Sequence, residues 1–161
     1  MWGRKTSKAV DGSTTTPVAP DTPAVLVEEL TNDWAQELSD MRGWVASCVA
    51  DNDPPLNLED PPTALAVIEA LLHRGGIMPE ETWKLQALGA VLGDAMGTDL
   101  GIPWRLVTDQ WGSTPGLHLG RDDVAYPLTM IAKRVENGED VDVHHLFVTL
   151  TDQMRQLIDR R

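Results

Sequence analysis

The sequence is short of several things. Its 161 residues include one cysteine, one phenylalanine, one tyrosine, and only 13 basic residues against 25 acidic ones. With Cys48 alone, no intrachain disulfide forms and no thiolate metal cluster can be built. Cys48 also falls on an apolar helical stripe, so it reads as a small core residue and not as a nucleophile. A formal net charge of −12 repels phosphate backbones, which argues against a nucleic-acid partner and for a basic one. No apolar run approaches the roughly 20 residues of a membrane span. The basic opening from Met1 to Lys8 is followed by no hydrophobic segment of the kind a secretory signal carries. The expectation is a cytoplasmic protein without a membrane partner. Phosphate loops, a Ser-His-Asp arrangement and paired catalytic carboxylates have no recognisable spacing, and no internal repeat is present. Six tryptophans stand against the scarcity of other aromatics, and each indole N–H needs a partner if it is buried.

What is present centres on Pro79 to Gly112. Pro79, Glu80 and Glu81 suit the first turn of a helix, where a missing N–H is harmless and the dipole favours acids. Trp83, Ala87, Val91 and Ala95 share one face, flanked by Leu88 and Leu92. Gly89, Gly93 and Gly97 recur at every fourth position. Each costs about 1 kcal/mol against alanine inside a helix, so the spacing predicts a seam where a neighbouring backbone comes close. Glu80, Glu81, Lys84, Asp94 and Asp99 exclude a membrane helix. After Gly101 the period becomes two, with Trp104, Leu106 and Thr108 alternating with Arg105, Val107 and Asp109, which predicts a strand with Pro103 at its start.

The remaining chain resolves around this stretch. Residues 1–22 are rich in Ser, Thr, Pro and Lys, carry a positive charge and read as a disordered tail. Residues 23–161 read as a single α+β domain. Residues 23–51 are expected to be helical, either capped at Thr31 or Asn32 or running from Pro23 through Leu30, with Trp34, Leu38, Met41, Val45, Cys48 and Val49 on one face; Asp51 to Pro55 ends the helix. Asp60, Pro61 and Pro62 start the next helix, which Gly75 and Gly76 stop. Gly112 to Gly116 is expected to turn, Leu117 to Leu119 and Val124 to Tyr126 to form short strands, and the three strands to pair as an antiparallel meander. Residues 128–137 form a short helix ended by Asn137 and Gly138. Val143, Leu146, Phe147, Leu150, Met154, Leu157 and Ile158 mark a final long one. The fold expected is four or five helices packed on a small three-stranded antiparallel sheet.

Six residues stand out as candidates for binding. Asp94 lies among apolar residues between the glycines, either as an acid with a raised pKa or as a structural acceptor. Lys133 and Arg134 are a basic pair in an acidic chain, suited to an anion or to pairing with Glu136 and the acids that follow. Trp104, Asp109 and Trp111 sit on the strand and at its end, where Trp111 is either a contact residue or a packing one. His144 and His145 are adjacent, so they point about 100° apart on a helix and do not share one metal. No catalytic residue, metal site or cofactor is assigned.

Part of this pattern resembles a family. LGAVLGD (Leu88 to Asp94), the Trp104 strand, DQWG (Asp109 to Gly112) and above all YPLTMIAKRVENGEDVDV (Tyr126 to Val143) resemble the bacterial family called domain of unknown function 3806, over about residues 83–147. The resemblance implies no catalytic residues; it implies that Lys133 and Arg134 belong to the family's basic pair. The leading expectation is a non-enzymatic protein-binding module, immunity-like or adaptor-like. The alternative is a small-ligand-binding protein or enzyme with a cleft around Asp94, Asp109, Lys133 and Arg134. A plain structural subunit is a third possibility, and the oligomeric state stays open.

Overall fold

The computed structural model describes residues 25–160; the tail expected over 1–22 lies outside them. Among the described residues, five helices pack with a four-stranded antiparallel sheet. The order is β1 (Leu26–Glu28), α1 (Asn32–Cys48), α2 (Pro61–His73), α3 (Thr82–Leu100), β2 (Trp104–Asp109), β3 (Gly112–Gly120), β4 (Asp123–Ala125), α4 (Pro127–Glu136) and α5 (Val143–Asp159). The α+β class and the helices are as expected, and the sheet has one strand more.

The helix α3 is the hub, packing against α1, α2, α4 and α5. Leu85, Leu88, Leu92 and Met96 are fully buried along it, together with Ala87 and Ala90. Its glycines do what their spacing predicts. A Cβ at Gly89 would lie 2.5 Å from the Pro127 carbonyl oxygen and 2.9 Å from Leu128 Cα, so α4 crosses against bare backbone. A Cβ at Gly93 would lie 2.2 Å from Trp104 Cζ2, and one at Gly97 2.6 Å from the Ile102 oxygen. Gly101 then takes the left-handed conformation, φ 68°, that ends the helix. The Ile102 N–H folds back onto the Gly97 carbonyl at 2.9 Å, and β2 begins two residues later.

Several boundaries differ from expectation. The helix α3 starts at Thr82, not at Pro79; ahead of it the Glu81 carboxylate turns back to accept from the Met78 N–H at 2.8 Å. The segment before α1 is a strand. Leu26, Val27 and Glu28 pair with Thr108, Val107 and Leu106 of β2, and only at Thr31, whose side chain accepts from Trp34 N–H, does the helix begin. Gly112 to Gly116 is not a turn. The reversal takes only Gln110 and Trp111, between the paired residues Asp109 and Gly112, and β3 continues through Pro115. β4 pairs with β3 only from Leu117 to Gly120. At Pro115 the strand therefore has one neighbour, and a residue without an N–H is tolerated on such an open side. Asp60 and Asp142 cap α2 and α5 by accepting from Thr63 N–H and His145 N–H.

Candidate functional site: the Asp94 cleft

Three side chains from three elements meet at Asp94. Arg42 of α1 donates Nε–H to Oδ2 at 2.6 Å and Nη2–H to Oδ1 at 2.8 Å, a two-pronged contact. Trp104 of β2 donates Nε1–H to Oδ1 at 2.8 Å. The planar guanidinium matches a carboxylate in this geometry as an ammonium cannot. The pair is half-buried, with side-chain exposures of 40% for Arg42 and 28% for Asp94. The Asp94 hydrogen bonds, opposed by burial and reinforced by charge attraction, raise the Arg42 pKa above its already high usual value, so the guanidinium stays charged.

Local sequence explains the meeting. Trp104 follows Pro103 at the start of β2, close to the C-terminal end of α3. Its ring reaches back over the notch at Gly93, and its N–H arrives at the carboxylate of the next residue. Arg42 lies between Met41 and Gly43 on α1, beside the stripe formed by the buried Leu38, Met41 and Val45.

These groups line an open cleft of ≈ 1100 Å³. Ala46, Leu58, Val91, Ile102 and Pro103 make its lining largely apolar, and Thr98 and Glu59 add polar groups. Gly43 stands in its wall with nothing within 4 Å of where a Cβ would be. A few placed polar groups in an apolar concavity is the usual make-up of a binding site. Asp94 already accepts three hydrogen bonds, so its two oxygens are committed to donors of the protein itself.

The other candidates lie elsewhere. Asp109 closes the β2–β3 hairpin, its Oδ1 accepting from Trp111 N–H at 2.7 Å and its Oδ2 from Tyr126 O–H at 3.2 Å. Burial, then the Asp109 hydrogen bond and charge, raise the Tyr126 pKa above its ordinary value. Trp111 stands at the hairpin tip, 86% exposed, so it does not pack in the core. Lys133 is exposed on α4, and Arg134 donates to the Met130 carbonyl at 2.8 Å. The expected pairing of these two with Glu136 does not form, and among the described residues neither makes an ion pair. Arg134 instead edges a separate hollow with Glu139, Asp140 and Asp142. Of the six, the structure thus brings Asp94 and Trp104 together, while Asp109, Lys133 and Arg134 do not line their cleft. His144 and His145 are both exposed. Arg42 and Glu59 were not singled out by the sequence. An arginine beside an apolar stripe, next to a mid-helix glycine, is the only signal it offers.

A protein-family model described as Domain of unknown function (DUF3806) matches residues 64–147. The match starts earlier than the stretch carrying the resemblance in the sequence and so takes in most of α2. It contains Asp94 and Trp104; Arg42 and Glu59 precede it. None of the curated proteins compared matches the chain. A crystal structure from Bacteroides thetaiotaomicron VPI-5482, at 1.50 Å resolution, is similar with a TM-score of 0.68 and 17% sequence identity. The similarity covers 82% of this chain and 48% of that one. This chain thus spans about half the length of that relative, and at such identity the likeness is one of fold alone.

Proposed function

This chain belongs to the DUF3806 family, and on that premise we propose that it is a non-enzymatic, cytoplasmic bacterial module that binds another protein. It acts as an adaptor or immunity-like protein, taking a segment of its partner into the Asp94 cleft. The observation that carries this reading is the floor of that cleft, where Arg42, Asp94 and Trp104 are held rigidly by one another beneath a largely apolar wall. Prearranged polar groups reduce the ordering needed on binding. The volume lies at or above the upper end for small-molecule pockets, about 300–1,000 Å³, and the cleft is open, which suits a stretch of chain. The absence of any membrane-crossing helix among the described residues is compatible with the location proposed.

The test uses Gly43. A side chain there meets open space in the cleft wall, so Gly43→Trp is expected to obstruct the cleft beside Arg42 without disturbing the core. Heptapeptides selected from a displayed random library against the chain are expected to lose at least tenfold in affinity for the Gly43→Trp variant, measured by fluorescence anisotropy. A library that yields no binder, or binders indifferent to Gly43→Trp, overturns the proposal. A compact drug-like ligand in the same cleft is the second reading, favoured by its apolar lining. Fragments that shift the Trp104 indole N–H resonance, where peptides do not, would establish it.

A further inference from the structure

Building on the peptide-binding reading of the Asp94 cleft, we infer that its occupant is an aliphatic segment with one basic side chain, directing a backbone carbonyl at Arg42 and its cationic group at Glu59. The first half follows from hydrogen-bond capacity. A guanidinium carries five N–H donors, and Asp94 takes two of them. Asp94 itself accepts from Arg42 twice and from Trp104 once, so its oxygens are largely committed. The unused capacity at the floor is therefore donating. Its charge is already balanced by Asp94, so a neutral acceptor fits better than an anion, which would have to approach the Asp94 carboxylate. A peptide carbonyl is a neutral acceptor that every segment of chain carries.

The second half follows from the rim. Glu59 lies in the connection between α1 and α2, exposed, next to the half-buried Leu58. Among the described residues it makes no ion pair. Arg42 and Asp94 cancel, so Glu59 leaves the charged lining of the cleft at net −1. The chain as a whole, at −12, adds an attractive field for a cation and a repulsive one for an acid. Leu58 and Ile102, both half-buried in the lining, supply apolar contact for the aliphatic side chains.

A charge swap tests this. The probes are three fluorescein-labelled pentapeptides of leucine and valine, blocked at both ends, with lysine, glutamate or methionine at the centre. The lysine peptide is expected to bind about two- to fivefold tighter than the methionine peptide at low salt, the range of an exposed ion pair. The glutamate peptide is expected to bind weakest. Glu59→Lys, in an exposed loop position, is expected to invert that order, and added salt to flatten it. An order that is the same on the parent and on Glu59→Lys overturns the inference. If peptides from the displayed library are still blocked by Gly43→Trp, the cleft reading survives that result. If nothing from that library binds, both fall together. Arg42→Lys separates the carbonyl contact. It keeps the charge but not the fork, and a loss of affinity common to all three peptides is expected, whereas an unchanged affinity removes the carbonyl from the inference.

Discussion

The glycines of α3 and the glycine of α1 share a residue type and a helical setting, and Gly93, Gly97 and Gly43 line one cleft, yet they do opposite things. At Gly89, Gly93 and Gly97 the missing side chain is filled by a neighbour: the entry to α4, the Trp104 ring and the Ile102 carbonyl. At Gly43 it is filled by nothing. The same loss of about 1 kcal/mol in helix propensity is offset by packing in one case and stands uncompensated in the other. An uncompensated weak point in a helix calls for another reason, and the cleft is the candidate.

The largest expected effect breaks the filled side of this comparison. Gly89→Ala drives a Cβ into backbone atoms of Pro127 and Leu128 and is expected to cost about 3 kcal/mol, a fall of roughly 10 °C in Tm by calorimetry. Asp94→Asn comes next. It keeps the shape but faces an amide toward Arg42 and weakens the acceptor for Trp104, with an expected loss of about 1–2 kcal/mol by urea unfolding, set low because the pair is half-exposed. Gly43→Ala is expected to change the sign, raising stability by about 1 kcal/mol. A destabilised Gly43→Ala would remove the contrast altogether. The smallest effect concerns Tyr126. Its pKa is raised in the folded state from a usual value of 10.0, so folding favours the protonated phenol. The stability this gives is intact below about pH 10 and declines as pH rises through the raised value. Urea midpoints from pH 9 to 11 should fall less for Tyr126→Phe than for the parent.

How much could be read from the sequence depended on the distance over which each residue acts. The seam of α3 was legible because its period lies within one helix, and the cap at Asp60 because it acts within three residues. β1 was not. Leu26 to Glu28 is a strand only because it meets β2 some 80 residues later (Leu26 with Thr108), and alone it continues a helical pattern as readily. Pro115 and Gly116 carry turn chemistry that tertiary context overrides: Gly116 lies tight beneath Val124 and Tyr126. For the candidate site, Asp94 and Trp104 were visible as oddities, one an acid among glycines and the other a tryptophan opening a strand. Their partner Arg42 is 52 residues away from Asp94, and nothing local marks it. Asp109 and Trp111 belong to the hairpin tip instead, and Lys133 and Arg134 to α4, separations that only the chain path reveals.

The Trp104 ring has two sides with different obligations. Its six-membered ring fills the notch at Gly93 and so belongs to the interior; its N–H reaches Asp94 and so belongs to the cleft. Floor and foundation are the same indole. Anything that settles on the floor therefore loads the foundation too, so occupancy should register as resistance to unfolding. Sequence change can reshape the rim freely, but it cannot reshape the floor without renegotiating the interior.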